Sequence, residues 1–201
     1  RSTLFPYTTL FRSRTGKSFA IKFAAKNDVF GERSAGSPFN VYEQVRNDLN
    51  IRNYAVIAGD ELRDEWQLDN FENKNYNLRV NGPNGFFREF SGSASDPAID
   101  IACEYARKKI NNKQPTGNIE LRVSNQDSAH AYIIEVLDNA YKNSPIKKTL
   151  GKKGSGKERV NIVIDCSKSF GWYDFTVKIT GHKEFERRYA GRVETGAFSR
   201  F

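Results

Sequence analysis

Several residue types are scarce, and each shortage narrows the reading. The 201 residues include no methionine, two tryptophans, two cysteines and two histidines. His130 and His182 lie in or beside expected turns, far apart in the chain. Neither has a His, Cys or carboxylate at a metal-ligand spacing, so both read as surface residues. Cys103 and Cys166 fall on alternating strand patterns. Buried free thiols are the expected state there, and the sequence leaves open whether they pair. No stretch of about 18 apolar residues exists, so no segment reads as a membrane-spanning helix. The serines show no G-x-S-x-G nucleophile elbow. GKKGSGK, from Gly151 to Lys157, superficially resembles a phosphate loop. It lacks the required G-x-x-x-x-G-K-[ST] order, because Glu158 follows Lys157, and no helix follows it. DELRDE, from Asp60 to Glu65, reads as a solvated strand rim rather than as paired catalytic carboxylates.

Aromatic residues are plentiful, with 15 Phe and 9 Tyr within a hydrophobic share of 38%. Such side chains fit pleated, half-buried surfaces and favour sheet over helix. The net charge of +8 gives a mild attraction toward phosphate-bearing partners, and describes an ordinary basic surface equally well. No nucleic-acid partner is expected.

The clearest unit is FGWYDFTVKITGHKEFERRYAGRVE, Phe170 to Glu194. Tyr173, Phe175, Val177 and Ile179 alternate with Asp174, Thr176 and Lys178, the pattern of a half-buried antiparallel strand. A turn at Thr180–Lys183 leads to a second strand from Glu184 to Tyr189. YNLRVNGPNGFFREFSG, Tyr76 to Gly92, is a weaker copy. Tyr76 matches Tyr173, Leu78 matches Phe175, Val80 matches Val177, Phe87 matches Phe185, Phe90 matches Tyr189 and Gly92 matches Gly191. One small β-module is therefore used twice.

The remaining chain supports this division. Leu4 to Ser13, LFPYTTLFRS, resembles the translation of a widely used sequencing adapter, so residues 1–13 are expected to be a foreign tail. The natural N-terminus would then be missing, and the natural portion would carry a net charge of 8 − 2 = +6. Strands are expected at Phe19–Ala25, Phe39–Gln44, Tyr54–Ala58 and Leu62–Leu68, with Asn47–Asn50 a turn or irregular loop. Ser91–Ser95 is the linker. Ile99–Tyr105, Ile119–Val123, Tyr132–Val136 and Val160–Ile164 follow as strands, with Lys142–Lys157 a basic loop or hairpin tip. The fold class expected is all-β, with two tandem immunoglobulin-like antiparallel β-sandwich domains over 14–95 and 96–201. By comparison of the repeats, the first domain lacks its opening strand, which would leave the edge of Phe19–Ala25 unpaired.

Two features are candidate lipid-surface contacts. One is the basic loop carrying Lys147, Lys148, Lys152, Lys153 and Lys157, otherwise a solvated charge run. The other is the pair Phe86–Phe87 at the first hairpin turn, otherwise a packing contact against the neighbouring module. Arg187 and Arg188 face opposite ways, and one is expected to lay its stem over an aromatic ring.

The paired motifs at Tyr76–Gly92 and Phe170–Gly196, in this order and spacing, resemble the repeated C-terminal domains of bacterial phosphocholine-specific phospholipases C. The resemblance covers Thr15 to Phe201. It implies a non-catalytic accessory region of an exported enzyme acting on phosphatidylcholine or sphingomyelin, secreted or held in the cell envelope. The family's metal-dependent phosphoesterase domain lies upstream and would be this region's partner, together with choline phospholipid or a membrane surface. No catalytic, cofactor-binding or metal-binding residue carries over to this chain. The alternative is a free-standing adhesion or carbohydrate-binding sandwich.

Overall fold

The computed structural model describes residues 6–12, 16–45, 48–111 and 114–195, and strands account for most of them. The first seven are β1 (Pro6–Arg12), β2 (Ser18–Ala25), β3 (Ser37–Val45), β4 (Asp48–Val56), β5 (Glu61–Gln67), β6 (Tyr76–Asn81) and β7 (Phe87–Gly92). The next seven repeat that order: β8 (Ile99–Arg107), β9 (Pro115–Asn125), β10 (Tyr132–Asp138), β11 (Ile146–Leu150), β12 (Arg159–Ile164), β13 (Trp172–Ile179) and β14 (His182–Arg192). Each set forms one sandwich. In the first, β1-β2-β5 faces β4-β3-β6-β7; in the second, β8-β9-β12 faces β11-β10-β13-β14.

The cores follow from the alternation. Phe19, Ile21 and Phe23 of β2 meet Phe39, Val41, Leu78 and Val80 in the first sandwich. Ile101, Cys103, Leu121 and Val123 meet Ile134, Val136, Phe175 and Val177 in the second. Both cysteines are buried and free. Burial pushes the Cys166 thiol up to about 11 and the Cys103 thiol up to about 12.

The two sandwiches are not beads on a string. Their last strands, β7 and β14, pair antiparallel, with Arg187 opposite Phe90 and Tyr189 opposite Arg88. The two four-stranded layers thereby become one eight-stranded sheet with β4 and β11 at its ends.

Several expectations are corrected. The outer edge of β2 is not open: β1 covers it along its length, with Leu10 opposite Ile21 and Thr8 opposite Phe23. An exposed row of unpaired backbone groups is costly, and residues 6–12 are long enough to fill it. Residues 48–50 are not a turn or irregular loop, because β4 pairs with β3 continuously from Asp48 to Val56; Asn47 lies outside the described residues. The basic stretch 142–157 contains a strand, β11, where Ile146 and Leu150 supply the apolar positions that seat it against β10. Ser91 and Gly92 of the expected linker belong to β7, and Ser93 is tied down, its N–H donating to Asp96 Oδ1 at 2.7 Å.

Candidate functional site at the seam between the sandwiches

The repeat motif has a physical basis. Tyr76 lies directly across the hairpin from Gly92, and Tyr173 lies across from Gly191. A Cβ at position 92 would stand 2.6 Å from the Tyr76 hydroxyl, and one at position 191 would stand 2.9 Å from the Tyr173 hydroxyl. Glycine is therefore needed to let each tyrosine cross its partner strand and bring its hydroxyl to the seam.

Each hydroxyl is met by an arginine from the other sandwich. Arg187 Nη2 donates to Tyr76 Oη at 2.7 Å and to Asp96 Oδ2 at 3.3 Å. Tyr76 Oη in turn donates to Asp96 Oδ2 at 2.6 Å. Arg187 Nη1 donates to the carbonyls of Ser91 and Glu186. The guanidinium also lies 4.0 Å over the Phe185 ring. Burial opposes the charge on Arg187, but Tyr76 and the Asp96 carboxylate outweigh it and hold the pKa above its ordinary value. Burial likewise pushes the Tyr76 hydroxyl well up.

Arg88 occupies the matching place in the other direction. Its Nη2 donates to Tyr173 Oη at 3.1 Å, and its Nη1 donates to the Ala190 carbonyl at 2.9 Å and the Phe87 carbonyl at 2.8 Å. It stacks 4.1 Å over the Phe86 ring. Arg88 is only 3% exposed, yet its Nε has no partner, and no carboxylate reaches it among the described residues. The two halves of the seam share a geometry and differ in charge compensation.

A second contact reinforces the seam. Lys26 Nζ meets Glu104 Oε1 at 2.6 Å, and Arg107 Nη2 meets Asp28 Oδ2 at 2.6 Å. Phe30, from the loop after β2, is buried in the core of the second sandwich. On the other side of the seam a cavity of about 850 Å³ lies between the sandwiches, bordered by Phe19, Asp100, Lys153 and the Arg187–Asp96 pair.

The anticipated contact residues scatter. Lys147, Lys148, Lys152, Lys153 and Lys157 are all exposed, on β11 and the turn after it. Lys147 is ion-paired with Glu135 at 2.7 Å, and the Lys153 N–H donates to the Asp127 carbonyl at 2.8 Å. Phe86 is not an exposed tip: it is 5% exposed, edge-on to Phe39 in the first core. The bend through Gly82 and Gly85 turns it inward, where its face also receives Arg88. Phe87 is half-buried under Arg188, whose guanidinium lies 5.5 Å above its ring. Asp64 departs from the solvated-rim reading, because Arg52 Nη1 and Tyr54 Oη donate to its carboxylate at 2.9 and 2.5 Å. His130 Nδ1 lies 2.9 Å from Asp127 Oδ2, and His182 packs on Tyr132. Among the described residues no three His, Cys, Asp or Glu side chains gather as a metal site. The expected arginine over an aromatic ring is met by both Arg187 and Arg188. The seam role of Arg187 and all of Arg88 lay outside the sequence reading, although both repeats place Arg four residues before the motif glycine, at 88/92 and 187/191. In that register Phe86, not Phe87, is the counterpart of Phe185.

Comparison with known proteins agrees with this doubled architecture. The family described as bacterial phospholipase C, C-terminal domain, matches twice, over residues 6–93 and 99–192. A non-hemolytic phospholipase C of Pseudomonas aeruginosa is 29% identical over 162 residues, covering 81% of this chain and 22% of that protein. A non-hemolytic phospholipase C of Burkholderia pseudomallei is 34% identical over 150 residues, covering 71% of this chain and 19% of that protein. A hemolytic phospholipase C of Pseudomonas aeruginosa is 32% identical over 160 residues, covering 75% of this chain and 20% of that protein. The chain thus spans about a fifth of the length of the curated relatives it matches. With a sandwich for each match and the Tyr–Gly–Arg motif built once in each, the chain belongs to the family of bacterial phospholipase C C-terminal domains.

Proposed function

We propose that this chain is the accessory region of an exported phospholipase C, a rigid body against which an upstream phosphoesterase domain is held. The observation that carries the reading is the seam. Strand pairing through β7 and β14, with buried Arg–Tyr contacts in both directions, fuses two small sandwiches into one unit. Tandem domains joined by a flexible linker reorient freely, whereas a continuous sheet holds its two ends at a fixed separation. The ionisable groups brought together here are engaged with one another rather than aimed at a reacting atom: Arg187, Tyr76 and Asp96 satisfy each other, as do Arg52, Tyr54 and Asp64. The hydrolytic chemistry, and the metal it requires in the resembling enzymes, belong to the upstream domain on this reading.

The test uses a full-length relative cut immediately before the segment equivalent to this chain. Hydrolysis of choline phospholipid by the cut enzyme should fall, and addition of this chain in trans should restore part of it. Metal-dependent turnover by this chain alone would overturn the reading, as would full activity of the cut enzyme.

A further inference from the structure

The end of the second sandwich away from the basic 151–157 turn carries a feature the scaffold reading does not use. Strand direction gathers three loops there. Ile119 of β9 pairs with Tyr105 of β8 and with Ile164 of β12, so the turn after β8 and the loop after β12 leave at the same end. Tyr105 Oη donates across the layers to the Arg192 carbonyl at 3.1 Å, at the end of β14. Asp138 pairs with Phe175, which brings the loop after β10 to the same end.

These loops expose large apolar side chains. Ile110 is fully exposed in the first, Tyr141 is exposed in the second, and Phe170 is 69% exposed in the third, beside exposed Trp172. Phe170 is held at φ 54°, in the left-handed region, where glycine is the default and a bulky side chain is strained. An aromatic that is both strained and turned to water contributes nothing to the core, which points to a role at the surface. Lys108, Lys109, Lys142 and Lys168 stand exposed on the same loops. None of the four has an ion-pair partner among the described residues. Asp138, whose carboxylate accepts from the Ala140 and Tyr141 N–H groups, Asp165 and, beyond β14, Glu194 are the carboxylates at this end besides Asp174, which Arg188 engages, so the four lysines outnumber them by one.

We propose that this tip docks into the interfacial zone of a phospholipid bilayer that contains anionic lipid. Trp and Tyr favour the headgroup level, apolar side chains reach the acyl boundary, and unpaired lysines meet anionic headgroups. The apolar groups sit on three separate loops, which suits a fluid interface rather than a strand or helix of a partner protein. The inference adds to the scaffold reading and does not depend on it, because vesicle binding by this chain is scored without any hydrolysis.

The test is sedimentation of the chain with phosphatidylcholine vesicles, with and without phosphatidylserine, at low and high salt. Binding should require phosphatidylserine and weaken with salt. Ile110→Ser/Phe170→Gly should bind roughly a hundredfold more weakly, since each lost apolar burial is worth about a factor of ten. The glycine suits the φ at 170, so this variant should fold at least as well, as checked by circular dichroism. Lys152→Ser/Lys153→Ser, at the opposite end, should bind as the parent does. Unchanged binding of Ile110→Ser/Phe170→Gly would overturn the proposal. So would binding lost only in Lys152→Ser/Lys153→Ser, or no vesicle binding by the parent chain, which would give this tip to a protein surface instead.

Discussion

Replacing each seam arginine by methionine should have unequal consequences. Arg187 and Asp96 form a buried ion pair, with side chains 6% and 5% exposed. Removing Arg187 takes the guanidinium away from the buried Asp96 carboxylate, which still accepts from Tyr76 Oη and the Ser93 N–H. Breaking a buried pair in this way costs about 3–5 kcal/mol. Arg88 also donates to a tyrosine and two carbonyls, but no carboxylate is stranded when it goes. Orphaning its acceptors costs about 1–3 kcal/mol, while removing a buried cation with an unpartnered Nε returns a similar amount. Arg88→Met should therefore lie within about 1 kcal/mol of the parent. For a chain of this size 1 kcal/mol moves Tm by roughly 2–4 °C, so Arg187→Met should lower Tm by on the order of 10 °C and Arg88→Met by little. Adding Asp96→Asn to Arg187→Met should recover roughly 2 kcal/mol, because a neutral amide still accepts from Tyr76 and Ser93 without a stranded charge. Urea unfolding of the parent, Arg187→Met, Asp96→Asn and the double variant supplies the cycle, with Arg88→Met measured beside it. Equal losses for the two arginines, with no coupling between Arg187 and Asp96, would refute the reasoning.

Other consequences are measurable in the same way. Gly92→Ala would place a Cβ 2.2 Å from Asp96 Oδ2 and 2.6 Å from Tyr76 Oη; it should destabilise by about 1–3 kcal/mol in urea unfolding. Thr8→Val should stabilise by about 1 kcal/mol, because Thr8 Oγ1 is buried without a partner among the described residues. Deleting residues 1–13 removes β1 and bares the edge of β2, so concentration-dependent association should appear in sedimentation velocity. Burial raises the pKa of Tyr76, Tyr105 and Tyr189 and brings Tyr173 up to about 12. The unfolded tyrosines ionise near pH 10 and the folded ones later, so the stability these groups contribute is complete below about pH 10 and is lost above it. Each buried tyrosine should steepen that loss by about 1.4 kcal/mol per pH unit, read from urea midpoints at rising pH.

The legible part of the fold was what period-two alternation writes into the chain. Tyr173-Phe175-Val177-Ile179 and Tyr76-Leu78-Val80 identified their strands because one face is buried and the other wet. Only the end of β4 coincides with the strand expected at Tyr54–Ala58, and its first half, Asp48 to Asn53, was hidden for the opposite reason. Its residues are mostly exposed, with Leu49 and Ile51 on the outer face, so its alternation does not mark a core. Strand β11 was hidden by Lys147 and Lys148, charges that suit an edge and imitate a loop. The seam was beyond local pattern altogether. Phe86 and Phe87 look alike in sequence, yet Phe86 is sealed by Phe39 and Arg88 while Phe87 lies under Arg188 on the other face. Local pattern marks Arg187 only as one of two adjacent arginines with a stem over an aromatic ring and does not mark Arg88 at all, because pairing between β7 and β14 is a contact some hundred residues apart. Family membership was legible nonetheless, since the spacing of tyrosine, apolar alternation and glycine is what builds each hairpin.

The claim that matters most is that two sandwiches behave as one body, and differential scanning calorimetry tests it directly. A continuous sheet with buried arginines crossing in both directions predicts a single transition whose calorimetric and van't Hoff enthalpies agree. Arg187→Met should then lower the whole transition rather than split it. Two resolved transitions in the parent chain, one for each sandwich, would contradict the account.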